Sequence, residues 1–173
     1  ARFEWVEYLQ RRNPNTPAIV RKVAAPITRS SLGAARNHWR TVGDRIELKS
    51  IYSGQVLHDL SIDHFMPWSF VVHDQLWNLI PLSGSENSSK SNQLPPPEFI
   101  EPFARQQLEG LLVARQVLSE KKWRALQDDY CCGLGIAADE LLDRDTLQTA
   151  HRATVLPLLE IAGRQGFATW SAK

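Results

Sequence analysis

The sequence predicts an α+β fold that is mostly helical, with a small strand-containing unit in the middle of the chain. Residues 46–52 and 56–62 alternate apolar and polar side chains, and residues 77–82 form a further short strand-like run. The segments before and after this region repeat apolar residues at helical spacing. The chain has 173 residues, of which 43% are apolar and 23% charged, a composition typical of a packed domain.

Two helices are predicted in the N-terminal region, residues 1–45. Residues 2–12 carry apolar side chains at helical spacing and end at an Asn-Pro-Asn turn. A second helix is capped by Ser30 or Ser31 and ends near Gly43. We therefore expect a helical leader ahead of the strand-containing unit.

The middle unit, residues 46–95, combines short strands with a polar helix. A Ser-Gly turn follows the first strand, and a Leu-Pro-Pro-Pro run closes the unit. The predicted elements are a strand at 46–52, a strand at 56–62, an aromatic-rich loop at 65–76, a strand at 77–82 and a serine-capped helix at 83–91. The unit thus reads as strand, long loop, strand and short helix.

The C-terminal region, residues 96–173, is predicted to be entirely helical. Gly133 and Gly135 separate the second predicted helix from the third. The four predicted helices span residues 98–118, 121–130, 137–150 and 154–163. We expect this region to pack on the middle unit.

Charge is divided unevenly along the chain, although the net charge is only +1. Residues 1–45 carry a net charge of +6, residues 46–100 a net charge of −4, and the remainder a net charge of −1. Phosphates bind where Lys and Arg gather, and cations bind where carboxylates gather. The pattern fits a phosphate-facing surface beside a metal site, and it also fits ordinary solvated helix faces.

Several classes of protein are disfavoured by composition. There is no run of 18 apolar residues, and residues 1–8 lack the apolar core of a signal peptide. The two cysteines, Cys131 and Cys132, are adjacent and cannot supply a disulfide framework or a Cys-x-x-Cys zinc site. We therefore expect no membrane partner and a reducing, cytoplasmic setting.

The residues that carry chemistry lie in the middle unit. Asp63 and His64 are consecutive at the end of a predicted strand, which places a hard oxygen ligand beside an imidazole. Asn78 follows His64 by 14 residues, Asn87 by 23 and Lys90 by 26. If the short strands pair and the polar helix packs across them, these side chains converge on one point.

This combination resembles the HNH (ββα-metal) endonuclease superfamily. The Asp-His pair, the Trp-Asn-Leu segment and the Asn-x-x-Lys segment have spacings similar to the HNH nuclease domains of CRISPR-type effectors and bacterial defence proteins. The resemblance covers about residues 52–95 and implies a ββα-metal nuclease motif flanked by helices.

The resemblance also implies a role for each matching residue. His64 would be the general base that deprotonates a water molecule, and Asp63 and Asn87 would hold one Mg²⁺, for which Mn²⁺ can substitute. Asn78 would fix the backbone and orientation of His64. Lys90 would contact the scissile phosphate or its neighbour.

Basic side chains of the leader are candidates for contact with the nucleic-acid backbone. Arg36 and Arg40 are four residues apart and share a helix face, and Arg29 lies just before that helix. No helix-turn-helix or zinc-finger signature is present. We therefore expect backbone contact with DNA, with target choice supplied from elsewhere, such as a larger effector complex or a guide-bearing protein.

Two features depart from the family pattern. Many HNH proteins bind a structural zinc through paired Cys-x-x-Cys motifs, whereas residues 49–54 contain no cysteine. Stability must come instead from aromatic packing by Phe65, Trp68, Phe70 and Trp77. The third family residue is Asn87 and not His, which favours a hard ion over zinc or nickel.

Two further histidines lie near the motif. We interpret His58 as a hairpin or solvent position, and His73 with Asp74 as a pair that fixes the loop or caps a helix. The leading hypothesis is a metal-dependent endonuclease that hydrolyses DNA in prokaryotic defence or within a CRISPR-type effector. Two alternatives remain open at this point: a catalytically silent HNH-fold module that binds nucleic acid or acts as a scaffold, and a nuclease of RNA or single strands.

Overall fold

The computed structural model describes residues 31–171 of the chain. The helix predicted over residues 2–12 and the candidate Arg29 lie outside the described residues. The described part is mostly helical and contains one two-stranded antiparallel sheet followed by a short helix. The predicted fold class, an α+β protein with a ββα motif flanked by helices, is confirmed.

Eight helices and strands make up the described part of the chain. In order they are α1 (Gly33–Gly43), β1 (Ser61–His64), α2 (Trp68–Val71), β2 (Leu79–Leu82), α3 (Gly84–Lys90), α4 (Ile100–Val117), α5 (Glu120–Leu134) and α6 (Arg144–Arg164). Two short 3₁₀ turns, Leu76–Asn78 and Pro97–Phe99, precede β2 and α4. Within residues 31–171, no helix is both long and apolar enough to cross a bilayer.

The strand prediction for residues 46–52 is wrong. The segment makes a single antiparallel bridge, Lys49 to Val56, and then turns. The Ser50 hydroxyl accepts hydrogen bonds from the backbone N–H groups of Tyr52 and Ser53, so local side-chain bonding replaces a strand ladder. Of the second predicted strand, only its end belongs to β1, which pairs with β2 from Ser61–Leu82 to His64–Leu79.

The helices after β2 also differ from the prediction in their boundaries. Gly133 lies inside α5, and the helix ends where Gly135 adopts the left-handed conformation at φ +67°. The segments predicted as two helices at 137–150 and 154–163 form one helix, α6, which includes Pro157. It begins later than predicted because the Asp143 carboxylate caps it by accepting a hydrogen bond from Thr146 N–H.

Two apolar clusters hold the hairpin in place. The larger lies between the hairpin and α4, α5 and α6, and the Phe65 and Phe103 rings stack within it. The smaller packs α1 against the hairpin through Trp39, with Ile62 and Leu79 among its members. Burial of these apolar faces is what positions a two-stranded sheet that could not be stable alone.

Side chains complete the hydrogen bonds of the hairpin edge. The Leu79 carbonyl accepts from Trp39 Nε1 at 3.2 Å and from Gln107 Nε2 at 2.9 Å. Tyr130 in turn donates its hydroxyl hydrogen bond to Gln107 Oε1. α1 and α4 thus supply the hydrogen bonds for this buried carbonyl, and α5 holds the Gln107 side chain in place. Leu79 pairs with His64 in the sheet, so these contacts lie directly beside His64.

Candidate active site

Asp63, His64 and Asn87 line one open pocket of about 630 Å³. Asp63 and His64 end β1, and Asn87 lies on α3, which follows β2 and packs on β1. Arg36 of α1 lines the same pocket. The β1–β2–α3 unit therefore brings a carboxylate, an imidazole and an amide to the same place.

Lys90 lies behind this pocket and not in it. Its side chain is fully buried, and its ammonium donates hydrogen bonds to Asp63 Oδ2 at 2.8 Å and to the His64 carbonyl at 2.7 Å. The expectation that Lys90 faces the phosphate is therefore corrected, because a buried ammonium with two partners is turned away from solvent. Burial lowers the pKa of Lys90, and the adjacent Asp63 carboxylate offsets part of that effect.

Asn87 is oriented by a neighbour in the first strand. Its Nδ2 donates to Ser61 Oγ at 2.6 Å. Because the amide nitrogen is engaged there, Oδ1 is the atom of Asn87 that is suited to ligate a cation. The sequence did not indicate Ser61, since a serine two residues before Asp63 has no signature of its own.

The helix that carries Asn87 and Lys90 begins with a capping box. Ser83 Oγ accepts from Glu86 N–H, and the Glu86 carboxylate accepts from Ser83 N–H at 3.3 Å. Ser50 Oγ also donates to Glu86 Oε1 at 2.6 Å, which ties the turn at residues 50–54 to α3. Partial burial raises the pKa of Glu86, but hydrogen bonds from the surrounding serines outweigh it and leave the pKa lowered.

Asn78 fixes the backbone that follows His64. Its Oδ1 accepts from Met66 N–H at 2.8 Å, and its Nδ2 donates to the Met66 carbonyl at 3.0 Å. The Asn78 carbonyl also accepts from Phe65 N–H at 2.8 Å. Phe65, Met66 and Asn78 are all buried, so these hydrogen bonds hold the start of the long loop in place beside His64.

His64 has a partner, Asp74, that the sequence motif does not predict. Its Nε2 lies 2.9 Å from Asp74 Oδ1, and the imidazole is only 1% exposed. The sequence pattern favours a pair of His73 with Asp74 that fixes the loop or caps a helix. In the structure, His73 Nδ1 accepts from Gln75 N–H. The one available signal was that Asp74 is the only acidic residue between His64 and Glu86.

A comparison with protein-family models matches residues 42–96 to an HNH endonuclease model. Residues 42–96 form an HNH endonuclease domain. The match covers about a third of the chain and includes the whole β1–β2–α3 unit with its pocket. Neither the curated proteins nor the solved structures contain a match to the chain.

The HNH domain brings together most of the residues that the motif predicted. Asp63, His64 and Asn87 share the pocket, while Asn78 and Lys90 lie behind it and hold it in shape. Arg40 is exposed one turn after Arg36 on α1 and is not among the residues that line the pocket.

The HNH domain is held together without cysteine ligands. Phe65, Phe70 and Trp77 are buried as expected, whereas Trp68 is half-buried at the pocket wall. The hydrogen bonds that join Ser50, Glu86 and Ser83 were not predicted, and they fasten the turn before β1 to the helix after β2. Aromatic packing and these hydrogen bonds thus stabilise a domain that has no cysteine ligands for a structural metal.

The oxygen donors of the pocket fit a hard, hydrated cation. Asp63 and Asn87 could supply two oxygen ligands, and Mg²⁺ is usually held by one or two carboxylates with water and phosphate completing its shell. Among residues 31–171, no three His, Cys, Asp or Glu side chains form a cluster that could hold a metal by themselves. This set of ligands suits Mg²⁺ or Mn²⁺ and does not suit zinc.

Proposed function

We propose that this HNH domain is a Mg²⁺-dependent endonuclease that hydrolyses DNA phosphodiester bonds. The observation that carries the proposal is the convergence of Asp63, His64 and Asn87 on one open pocket, inside a domain of the HNH endonuclease family. His64 acts as the general base, and Asp63 and Asn87 hold one divalent ion.

The ion-binding residues are supported from behind. Lys90 occupies Oδ2 of Asp63 and Ser61 occupies Nδ2 of Asn87, so each ligand is held in one orientation before an ion arrives. When bound, Mg²⁺ or Mn²⁺ supplies positive charge that stabilises the phosphorane-like transition state and the leaving oxygen. Lys90 contributes by fixing Asp63 and not by contacting phosphate.

His64 takes a proton from the water molecule whose oxygen attacks phosphorus. An imidazole suits this task because its ordinary pKa is close to neutral pH. Asn78 fixes the backbone on the C-terminal side of His64, and Lys90 fixes the His64 carbonyl. The base is therefore held on both sides while the phosphate is bound.

Arg36 is the cationic side chain we assign to the phosphate. Among the described residues that line the pocket it is the only Lys or Arg, and it is exposed. Arg40 continues the same helix face and would contact a neighbouring phosphate, and Arg29 is proposed for a similar contact from outside the described residues. These contacts carry no base information, so we propose that DNA is presented by a larger effector complex or a guide-bearing partner in prokaryotic defence.

Cleavage of supercoiled plasmid by the purified chain in Mg²⁺ tests the proposal. We expect nicked or linear product from the wild type, and none from His64→Ala or in EDTA. His58→Ala is the matched control, because His58 is exposed and does not line the pocket. His58→Ala should cleave as the wild type does.

Other outcomes distinguish the alternatives. Cleavage of RNA or single-stranded DNA without cleavage of plasmid would show that the protein is a nuclease of RNA or single strands and not of duplex DNA. An inert wild type that still binds Mn²⁺ through Asp63 and Asn87 but cleaves none of these substrates, even at high protein concentration, would favour a catalytically silent binding module.

A further inference from the structure

The carboxylate of Asp74 is hydrogen-bonded to the imidazole proposed as the base. Asp74 Oδ1 lies 2.9 Å from His64 Nε2, and the Asp74 side chain is 21% exposed against 1% for His64. The two residues are ten positions apart, on opposite sides of α2. The contact is therefore made by the shape of the loop and not by sequence proximity.

The loop is bent sharply to make this contact. α2 is followed by Val72, which has φ 52° and ψ 41°. A β-branched residue in the left-handed region is strained and persists only where the surrounding structure holds it there. The turn reverses the chain so that Asp74 returns to His64.

The far side of the loop is fastened to α5. The Asp129 carboxylate accepts a hydrogen bond from Leu76 N–H, two residues after Asp74. Trp77 then packs against Gly133 of the same helix. The loop is thus anchored immediately after the bend that presents Asp74.

We infer that Asp74 is a positioning residue that orients His64 and selects its tautomer. A carboxylate only accepts hydrogen bonds, so Nε2 carries the proton in this pair and the lone pair is on Nδ1. Nδ1 is then the atom that takes the proton from water, and Asp74 stabilises the imidazolium that results. The inference rests on the proposed function for its catalytic consequence, but the hydrogen bond can be tested without catalysis.

Nuclear magnetic resonance of the metal-free protein tests the hydrogen bond. We expect a downfield imidazole N–H proton on His64 Nε2, protected from exchange with water and assigned by its loss in His64→Gln. It should also disappear in Asp74→Ala. Absence of this proton in the wild type, or its persistence in Asp74→Ala, would overturn the inference.

Kinetics test the consequence. In Asp74→Ala we expect kcat to fall about 10- to 100-fold, as for loss of an orienting partner of a histidine. The KM for DNA and the dependence on Mg²⁺ concentration should not change, because neither ion ligand is altered. Asp128→Asn is the control: it removes an exposed carboxylate of α5 that is not used to hold the loop or His64, so its kcat should stay within about twofold of the wild type.

The remaining outcomes are also decisive. An unchanged kcat in a folded Asp74→Ala protein would overturn the positioning role even if the N–H proton is lost. If Asp74→Ala fails to fold, Asp74→Leu keeps a comparable side-chain volume without any hydrogen-bond acceptor and carries the same comparison. An inert wild type would overturn the proposed function and the catalytic role of Asp74, whereas the His64 N–H proton would still report the hydrogen bond on its own.

Discussion

Lys90 Nζ lies 2.8 Å from Asp63 Oδ2 in the interior of the HNH domain, and the same ammonium bonds to the His64 carbonyl at 2.7 Å. One buried cation therefore holds the side chain of one proposed site residue and the backbone of the next. Asp63 is itself only 7% exposed, so both charges of the pair are largely shielded from water. These contacts hold the two consecutive residues Asp63 and His64 where they line the pocket.

Removal of the buried cation should be strongly destabilising. Lys90→Met keeps the length of the side chain but leaves the Asp63 carboxylate buried and unpaired, which should cost about 3 to 5 kcal/mol in free energy of unfolding. Urea denaturation measures this. Lys49→Met is the control, because Lys49 pairs with Glu47 at the surface and should lose less than about 1 kcal/mol. Equal losses in the two variants would contradict the prediction.

Gly133 is required where α5 passes over Trp77. A Cβ at this position would lie 2.0 Å from Trp77 Nε1 and 2.3 Å from Trp77 Cδ1. Gly133→Ala should therefore lower the free energy of unfolding by about 1 to 3 kcal/mol, despite the better helix propensity of alanine. It should also lower cleavage, since Trp77 directly precedes Asn78.

A second glycine in a helix provides the control for that measurement. A Cβ at Gly163 in α6 meets nothing within 4 Å. Gly163→Ala should leave stability unchanged or raise it by up to about 1 kcal/mol, the helix propensity difference. Thermal and urea unfolding of the two variants should therefore shift in opposite directions or differ by more than about 1 kcal/mol.

Buried His151 should make the protein sensitive to acid. Burial lowers the pKa of His151 to about 4, outweighing its hydrogen bonds to backbone carbonyls. The pKa in the folded state lies below the value of 6.5 in the unfolded chain, so the unfolded state binds more protons as the pH falls. The stability contributed by neutral His151 is present above pH 6.5 and declines toward pH 4, by about 3 kcal/mol at pH 4.

Urea unfolding at a series of pH values from 7 to 4 measures this effect. His151→Gln should flatten the decline relative to the wild type, whatever its stability at pH 7. His58→Gln is the control, since His58 is exposed and its removal should leave the slope unchanged. A slope that is identical in the His151 variant and the wild type would exclude the assignment.

The last described residues brace the helix that carries Asn87. Trp170 N–H donates to the Leu94 carbonyl at 2.8 Å, its Nε1 donates to Ser89 Oγ at 3.2 Å, and its ring packs edge-on against Tyr52. Trp170→Ala should lower the free energy of unfolding by about 3 to 5 kcal/mol, the range for replacing a buried tryptophan by alanine. It should also weaken Mn²⁺ binding, measured by calorimetry, because α3 loses its outer support.

A milder substitution separates the two effects. Trp170→Phe keeps an aromatic ring beside Tyr52 and loses the hydrogen bond to Ser89, so it should retain most of the stability and of the affinity for Mn²⁺. If Trp170→Ala binds Mn²⁺ as tightly as the wild type while folded, the C-terminal segment does not brace the residues proposed to bind the ion.

The sequence by itself determined the helical character of the protein and the identity of its HNH motif. Periodicity and caps are local, so the helices around α1, α4 and α5 and the serine cap of α3 were predictable from neighbouring residues. The spacing of Asp63, His64, Asn78 and Asn87 was equally readable, because the β1–β2–α3 unit is short and its residues are close in the chain. The prediction of a strand at 46–52 was wrong because the hydrogen bonds that the Ser50 hydroxyl accepts from the following backbone outweighed the preference expressed by alternating apolar and polar residues.

Only the tertiary structure decided which residues of the motif line the pocket and which are buried behind it. Lys90 and Asn87 are separated by less than one helical turn, yet one is buried against Asp63 and the other lines the pocket, because α3 packs on β1 with a defined rotation. Asp74 reaches His64 only through the left-handed turn at Val72, a conformation that no local preference of valine favours. Contacts between residues distant in the chain depend on how the helices and strands pack, and patterns among neighbouring residues do not predict that packing.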